Sequence, residues 1–335
     1  MALGPEPKYG GGVACRSAPG VSCSVPPMPR IQDAYLDCAV YLYASSPDAE
    51  AGIKTGGSGF LVGVPSERDP HYVYVFVVTN KHVVERGSTV IRVNTEDNGL
   101  GIWDTSETNW IFHPKGDDLA LCRIAIKNTQ RYNINFVSKR SLLTKETVDR
   151  LNIGPGDDTF LIGRFINHEG RQTNLPTVRF GSIAQMPIEP IMQDDQFLQE
   201  SFLVETKTVA GYSGSPVFVY IPGMTEREGV EGWYPPANFM EIENLSDYGF
   251  HRSHGPWLLG VEWGHINHWT SVCRSNGAPV NPASPSDMQV RVNTGMSGVI
   301  PAWKLSEMLD EGPAAEAMKR HSEKLRPNPP SAGET

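Results

Sequence analysis

The feature that most restricts the fold is the near-absence of helical period over the first 300 residues. Short runs of Val, Ile, Leu and aromatics recur there instead, separated by turn residues. GSGFLVGV (57–64), YVYVFVVTN (72–80) and LALCRIAI (119–126) have strand length and strand composition. A second set follows: TFLIG (159–163), TVRFGSIA (177–184), SFLVE (201–205), PVFVYI (216–221) and WLLGVEW (257–263). Many short strands with Gly and Pro between them bury their apolar faces as a sandwich or a pair of barrels. Two helices are expected. KETVDRL (145–151) makes a turn or two between the halves. After Pro301, residues Trp303, Leu305, Met308 and Leu309 lie near helical spacing, and Gly312 and Pro313 are expected to close that helix.

A chain of 335 residues suits two similar halves, and 39% hydrophobic content supplies a sizeable core. The expected organisation is a flexible tail over 1–30, a first barrel over 31–145, a second barrel with a C-terminal helix over 146–310, and a tail over 311–335. Residues 1–30 and the end RPNPPSAGET (326–335) are rich in Gly, Pro and Ser and bury too little to offset their ordering entropy. The net charge of −9 argues against a nucleic-acid partner, which needs clustered Lys and Arg. No apolar run approaches the ~18–20 residues that cross a bilayer, so no membrane partner is expected. The N-terminus lacks the apolar core of a secretory signal, and five cysteines show no pairing rhythm. A cytoplasmic, reduced location is the expectation.

Three segments carry the chemistry: TNKHVV (79–84), HPKGDDLAL (113–121) and TVAGYSGSPVF (208–218). Hydrolysis of an amide by serine needs a base for the hydroxyl proton and a carboxylate to hold that base in the right tautomer. It also needs backbone N–H donors aimed at the oxyanion. His82, Asp118 and Ser213 supply the first three roles, and the N–H groups of Gly211 and Ser213 the oxyanion hole. Asp118 is preferred to Asp117 because it directly precedes the strand; Asp117 is then a solvated turn residue. The order His, Asp, Ser is that of chymotrypsin-type barrels, not of subtilisins or α/β-hydrolases. The hydrolase elbow G-x-S-x-G is also missing, since Ser215 stands at its last glycine.

T-N-x-H-V-V, H-P-x-x-D-L-A-L and G-x-S-G-S-P resemble the blocks of bacterial trypsin-like peptidases, the group that includes HtrA-type and glutamyl-endopeptidase-type enzymes. LLGVEWG (258–264) is similar to their substrate-binding strand, and NTGMSGVIPAWKL (293–305) to their last strand and closing helix. The resemblance implies an all-β fold of two six-stranded antiparallel barrels with a C-terminal helix. It implies a serine endopeptidase that uses no cofactor and binds a protein or peptide substrate as an extended strand. The alternative is a protease-like module that binds peptide without turnover, or only when a partner activates it.

The same resemblance places Lys207, Thr208 and Glu262 near the first specificity pocket. Lys207 counts back to the pocket floor, where it would favour an acidic residue before the cut, or it is a surface lysine on a loop of different length. Glu262 stands where a small residue is usual; it either shapes the pocket or points outward. Trp263 and Gly264 match the rail that pairs with substrate backbone. Tyr212 reads as a packing aromatic. The H-x-x-H pairs His251/His254 and His265/His268 have flanks that argue for loops, so no metal site is expected. Cys122 reads as a small buried hydrophobe, and Cys38 and Cys273 as unreactive. Residues 222–256 make a long connection, expected to overhang the cleft and narrow specificity.

Overall fold

The computed structural model describes residues 30–69, 71–126, 128–166, 168, 170–193, 197–208, 211–221, 256–272 and 289–324. Residues 1–29 of the expected tail over 1–30, residues 222–255 of the long connection over 222–256, the His251/His254 pair and Cys273 lie outside the described residues.

The first half contains β1 (Ala39–Tyr43), β2 (Thr55–Pro65), β3 (Val73–Thr79), β4 (Val90–Asn94), β5 (Leu100–Asp104), β6 (Ile111–Phe112), β7 (Ala120–Ile124) and β8 (Val137–Ser138). Their order is β5-β4-β1-β2-β3-β7-β6, antiparallel throughout, with β8 added parallel to β2. This half departs from the expected six strands: eight strands pair, and among the described residues the ladder does not close. Strand β1 shows why its sequence, AVYLY, lacks apolar–polar alternation. Val40 and Leu42 face a core with Leu61, Val77, Val83, Ile91 and Val93, while Tyr41 and Tyr43 face a second cluster with Ala49 and Val90. Successive side chains point to opposite faces, and here both faces are covered. Short helices α1 (Asp33–Leu36), α2 (Ser46–Ala51) and α3 (Lys81–Glu85) fill the turns.

Helix α4 (Lys145–Arg150) joins the halves where the sequence placed it, with Thr144 Oγ1 accepting the Thr147 N–H as an N-cap. The second half contains β9 (Asp158–Gly163), β10 (Thr177–Gln185), β11 (Ile191–Met192), β12 (Leu198–Gln199), β13 (Phe202–Glu205), β14 (Pro216–Tyr220), β15 (Trp257–Ser271) and β16 (Gln289–Pro301). Six of these close a barrel in the order β10-β13-β16-β15-β14-β9, and β11 pairs only with β12. Phe160 and Phe218 stack at 5.0 Å in this half, and Tyr35 from α1 meets Phe218 edge-on at 5.4 Å. Aromatic packing thus ties the two halves at one end. The Leu143 N–H adds a bond to Leu258 O at 3.0 Å.

Helix α5 (Ala302–Asp310) buries Ala302, Trp303, Leu305, Met308 and Leu309, the expected apolar face. Helix α5 ends at Asp310, just before Gly312 and Pro313, where the sequence placed its stop. The expected tail from residue 311 is overturned: its first residues form a second helix, α6 (Gly312–Ser322). Proline fits a first helical turn, where its missing N–H would have no partner, so Pro313 opens the next helix. Helix α6 docks on β3: Tyr74 donates its hydroxyl to Met318 O at 3.1 Å, and His321 stacks on Tyr72. Among the described residues no helix is long and apolar enough to cross a membrane.

Candidate active site

Strand pairing brings His82 and Asp118 together. β3 and β7 run antiparallel with Thr79 opposite Ala120, so the residues just past Thr79 meet those just before Ala120. Asn80 starts α3 but makes no side-chain cap bond; its Nδ2 donates to Asp118 O at 2.9 Å instead. His82 follows on the helix. Its backbone N–H donates to Asp118 Oδ1 at 2.9 Å, and its Nδ1 lies 2.6 Å from Asp118 Oδ2. Both carboxylate oxygens are therefore spent on one residue, which fixes the imidazole in orientation and leaves Nε2 as the ring's outward nitrogen. The histidine side chain is 26% exposed and the aspartate side chain 10%, so the pair sits at a surface and not in the core.

Ser213 arrives from the second half on the turn before β14. Gly211 (φ +100°) and Gly214 (φ +89°) bracket it in conformations that only glycine adopts without strain. At Gly214 a Cβ would lie 2.0 Å from Ser58 O and 2.3 Å from Thr79 Oγ1, so the turn is pressed against β2 and the end of β3. The Ser58 N–H donates to Ser213 O at 2.9 Å, and Ser58 Oγ donates to Gly211 O at 2.9 Å. A Cβ on Gly57 would touch both Val83 of the histidine helix and Ser213 O, which puts the serine turn beside α3. Ser213 Oγ donates to Trp263 O at 3.3 Å and makes no hydrogen bond to His82. The N–H groups of Gly211 and Ser213 have no hydrogen-bond partner among the described residues. Unpaired N–H donors beside a serine are what an anionic oxygen would use.

The structure overturns two expectations around this centre, for Asp117 and for the loop placement of His265 and His268, and decides two alternatives that the sequence left open, at Lys207 and Glu262. Asp117 is no solvated turn residue: it is 4% exposed and meets His113 Nδ1 at 2.7 Å, Gln199 Nε2 at 2.6 Å and Lys304 Nζ at 3.4 Å. Burial acts to raise its carboxyl, but the bonds to His113 and Gln199 and the Lys304 charge hold it below the usual range. Lys207 is exposed, so it is not a pocket floor; the neighbouring Thr208 is buried and its hydroxyl bonds Ser297 Oγ. Glu262 points inward at 1% exposure, and its Oε2 lacks a partner. Burial and the nearby Asp118 charge push its carboxyl up to about 8. His265 and His268 lie on β15 and not in loops, and no group of metal-holding side chains occurs among the described residues.

Trp263 is displaced from the β15–β16 register, where pairing shifts between Glu262 and Gly264. Its indole donates to Ser201 Oγ at 2.9 Å and lies over Gly298, where a Cβ would come within 2.3 Å of the ring. Gly264 has open space above its Cα. Cys38 and Cys122 are buried free thiols; burial pushes Cys122 up to about 12 and Cys38 higher still, which makes both unreactive.

Sequence reasoning missed three contributors. Ser58 carries two cross-half bonds to the Ser213 turn, yet it sits in GSGFLVGV as an ordinary strand residue. Tyr212 is fully buried as expected of a packing aromatic, but its hydroxyl also lies 2.8 Å from Thr177 Oγ1 and 3.1 Å from Arg179 Nε. Gln199 joins the acid loop from β12, and nothing in its local sequence marks it.

No family model matches this sequence, and no curated protein sequence does. Among solved structures, the chain is similar to the MamO protease domain from Magnetospirillum magneticum at 14% identity and a TM-score of 0.46, over 83% of this chain and 98% of that one. It is similar to the HtrA-type protease AlgW with decapeptide at 16% identity and a TM-score of 0.38, over 80% of this chain and about half (53%) of that one. Deg5 matches at 18% identity and a TM-score of 0.37, over 56% of this chain and 76% of that one. At such identity and overlap, the fold rests on this chain's own strand pairing, and its chemistry on its own residues: a closed six-stranded barrel, a second β-sheet and C-terminal helices.

Proposed function

We propose that this protein is a serine endopeptidase in which His82, Asp118 and Ser213 act as a triad. One observation carries the reading: both oxygens of Asp118 hold His82, one through its backbone N–H and one through Nδ1. A carboxylate used this way orients an imidazole and stabilises the imidazolium that forms when Nε2 takes a proton. In the reaction, the Ser213 hydroxyl exchanges the Trp263 carbonyl for His82 Nε2. Its oxygen attacks the peptide carbonyl carbon while the proton passes to His82. The oxyanion is received by the N–H groups of Gly211 and Ser213, and His82 returns the proton to the leaving amine. Water, deprotonated by the same base, then releases the acyl group.

The substrate on this reading is a protein or peptide laid as an extended strand along β15, where Trp263 and Gly264 form the rail. Thr208 and Glu262 would stand behind the first specificity pocket. The bond from Ser213 Oγ to Trp263 O favours a second reading, in which peptide is bound without turnover. A fluorophosphonate probe separates them. Adduct on Ser213, lost in Ser213→Ala and His82→Ala, is the enzyme outcome. Absence of adduct on folded wild type would give the binding module precedence.

A further inference from the structure

We infer that Gln199 is a positioning residue for Asp118, contributed by the second half of the molecule and held from the C-terminal helix; this rests on the triad reading above. Gln199 is fully buried. Its Oε1 accepts the Asp118 N–H at 3.0 Å, and its Nε2 donates to Asp117 Oδ1 at 2.6 Å and to Glu200 O at 3.2 Å. One planar amide thus meets opposite demands of adjacent residues. The Asp118 N–H needs an acceptor, and the Asp117 carboxylate needs a donor. An ionised Glu supplies only acceptors and a Lys only donors, so the amide is the side chain that fits both.

The amide is itself fixed. Asp117 is gripped on its other oxygen by His113 and Lys304. Lys304, on α5, also pairs with Glu200 Oε2 at 3.0 Å, and the Trp303 indole donates to Glu200 Oε1 at 3.0 Å. Helix α5, strand β12 and the loop before β7 therefore form one closed network around the backbone of Asp118. That backbone sets the direction in which the carboxylate meets His82. Gln199 touches no reacting atom; it acts through Asp118.

The test uses the full-length protein with Gln199→Met, close in length but without polar atoms, and Gln199→Glu. Three quantities are read: the second-order rate of Ser213 labelling by a fluorophosphonate, the thermal midpoint, and the downfield NMR proton of His82 Nδ1, assigned with His82→Ala. Gln199→Met should stay folded, label about tenfold more slowly than wild type and shift or lose the His82 proton, the size of a buried hydrogen bond lost at one point. Gln199→Glu keeps the acceptor for Asp118 but sets a carboxylate against Asp117. Its rate relative to wild type should be closer to unity at about pH 5, where the pair can share a proton, than at about pH 8. A folded Gln199→Met with the wild-type rate and the wild-type proton would overturn the inference. Should Gln199→Met not fold, a Gln199→Glu ratio that does not change with pH overturns it. A wild type that takes no label refutes the triad reading instead, and the His82 proton in the variants then decides Gln199 alone.

Discussion

The two sides of the candidate site are held by different means. His82 and Asp118 come from neighbouring strand ends of one sheet and are joined through side chains, at 2.6 and 2.9 Å. Ser213 comes from the other half and is held through its backbone: Ser58 binds its carbonyl, and two positive-φ glycines shape its turn. Its hydroxyl keeps only a long bond, 3.3 Å to Trp263 O. His82 and Asp118 are thus already joined, while the position of Ser213 is fixed but its hydroxyl direction is not. Reorienting one hydroxyl is a single torsion, whereas rebuilding the imidazole–carboxylate pair would break two charge-assisted bonds. A site divided in this way keeps the costly geometry permanent and leaves the adjustable step to the lightest group.

The sharpest way to break the comparison is Asp118→Asn. If the pair is the fixed side, this variant should fold and lose about 10⁴-fold in turnover of a peptide substrate, since the amide imposes the wrong histidine tautomer. A loss under about tenfold would mean that His82 is oriented by something else. On the nucleophile side, Gly214→Ala forces a side chain into positive φ and onto Ser58 O. We expect a loss of about 3 kcal/mol or more, read as a fall in the denaturant midpoint.

Glu262 sharpens the comparison because it lies between the two sides. Folded, its carboxyl holds a proton up to about 8, while in the unfolded chain it ionises near 4.5. The native state therefore binds more protons across that window, and stability falls as pH rises through it. Glu262→Gln removes the loss. The variant should match wild type below the unfolded value and gain on the order of 5 kcal/mol above the folded one, by chemical denaturation at both ends. A gain of equal size at both ends would show that packing, not the proton, is responsible. Tyr212→Phe keeps the ring and deletes the hydroxyl bonds to Thr177 and Arg179, so it should cost about 1 kcal/mol and slow Ser213 labelling by a few-fold. The smallest effect belongs to Lys207→Ala: an exposed side chain should change stability by under about 0.5 kcal/mol and leave cleavage preference unaltered.

Much of the site was legible because its members carry distinctive neighbours. Strand-length apolar runs ending in T-N-x-H and opening after D-D announced the register that places His82 against Asp118, and glycines on both sides of Ser213 announced its turn. Other features left no mark. Strand β1 is too short and too uniformly apolar to be told from any buried segment, and β6, β8, β11 and β12 have two residues each, below the length at which a period exists. β15 runs eight residues past the segment read as a strand, through His265, Asn267 and His268, because cross-strand pairing with β16 outweighs their local preference. Gly312 and Pro313 are ambiguous by nature, since a proline that forbids continuing a helix is at home starting one.

The sequence alone determined the architecture class, the order of the three triad candidates and the need for glycine around Ser213, because period, chain order and allowed φ are local properties. Only the tertiary structure decided that Asp117 is buried and bonded, that Thr208 and Glu262 face inward while Lys207 does not, and that Gln199 reaches Asp118 from the other half. These depend on which faces meet across gaps of about 80 positions or more in the chain, and a polar side chain reveals its role only through the partner it meets.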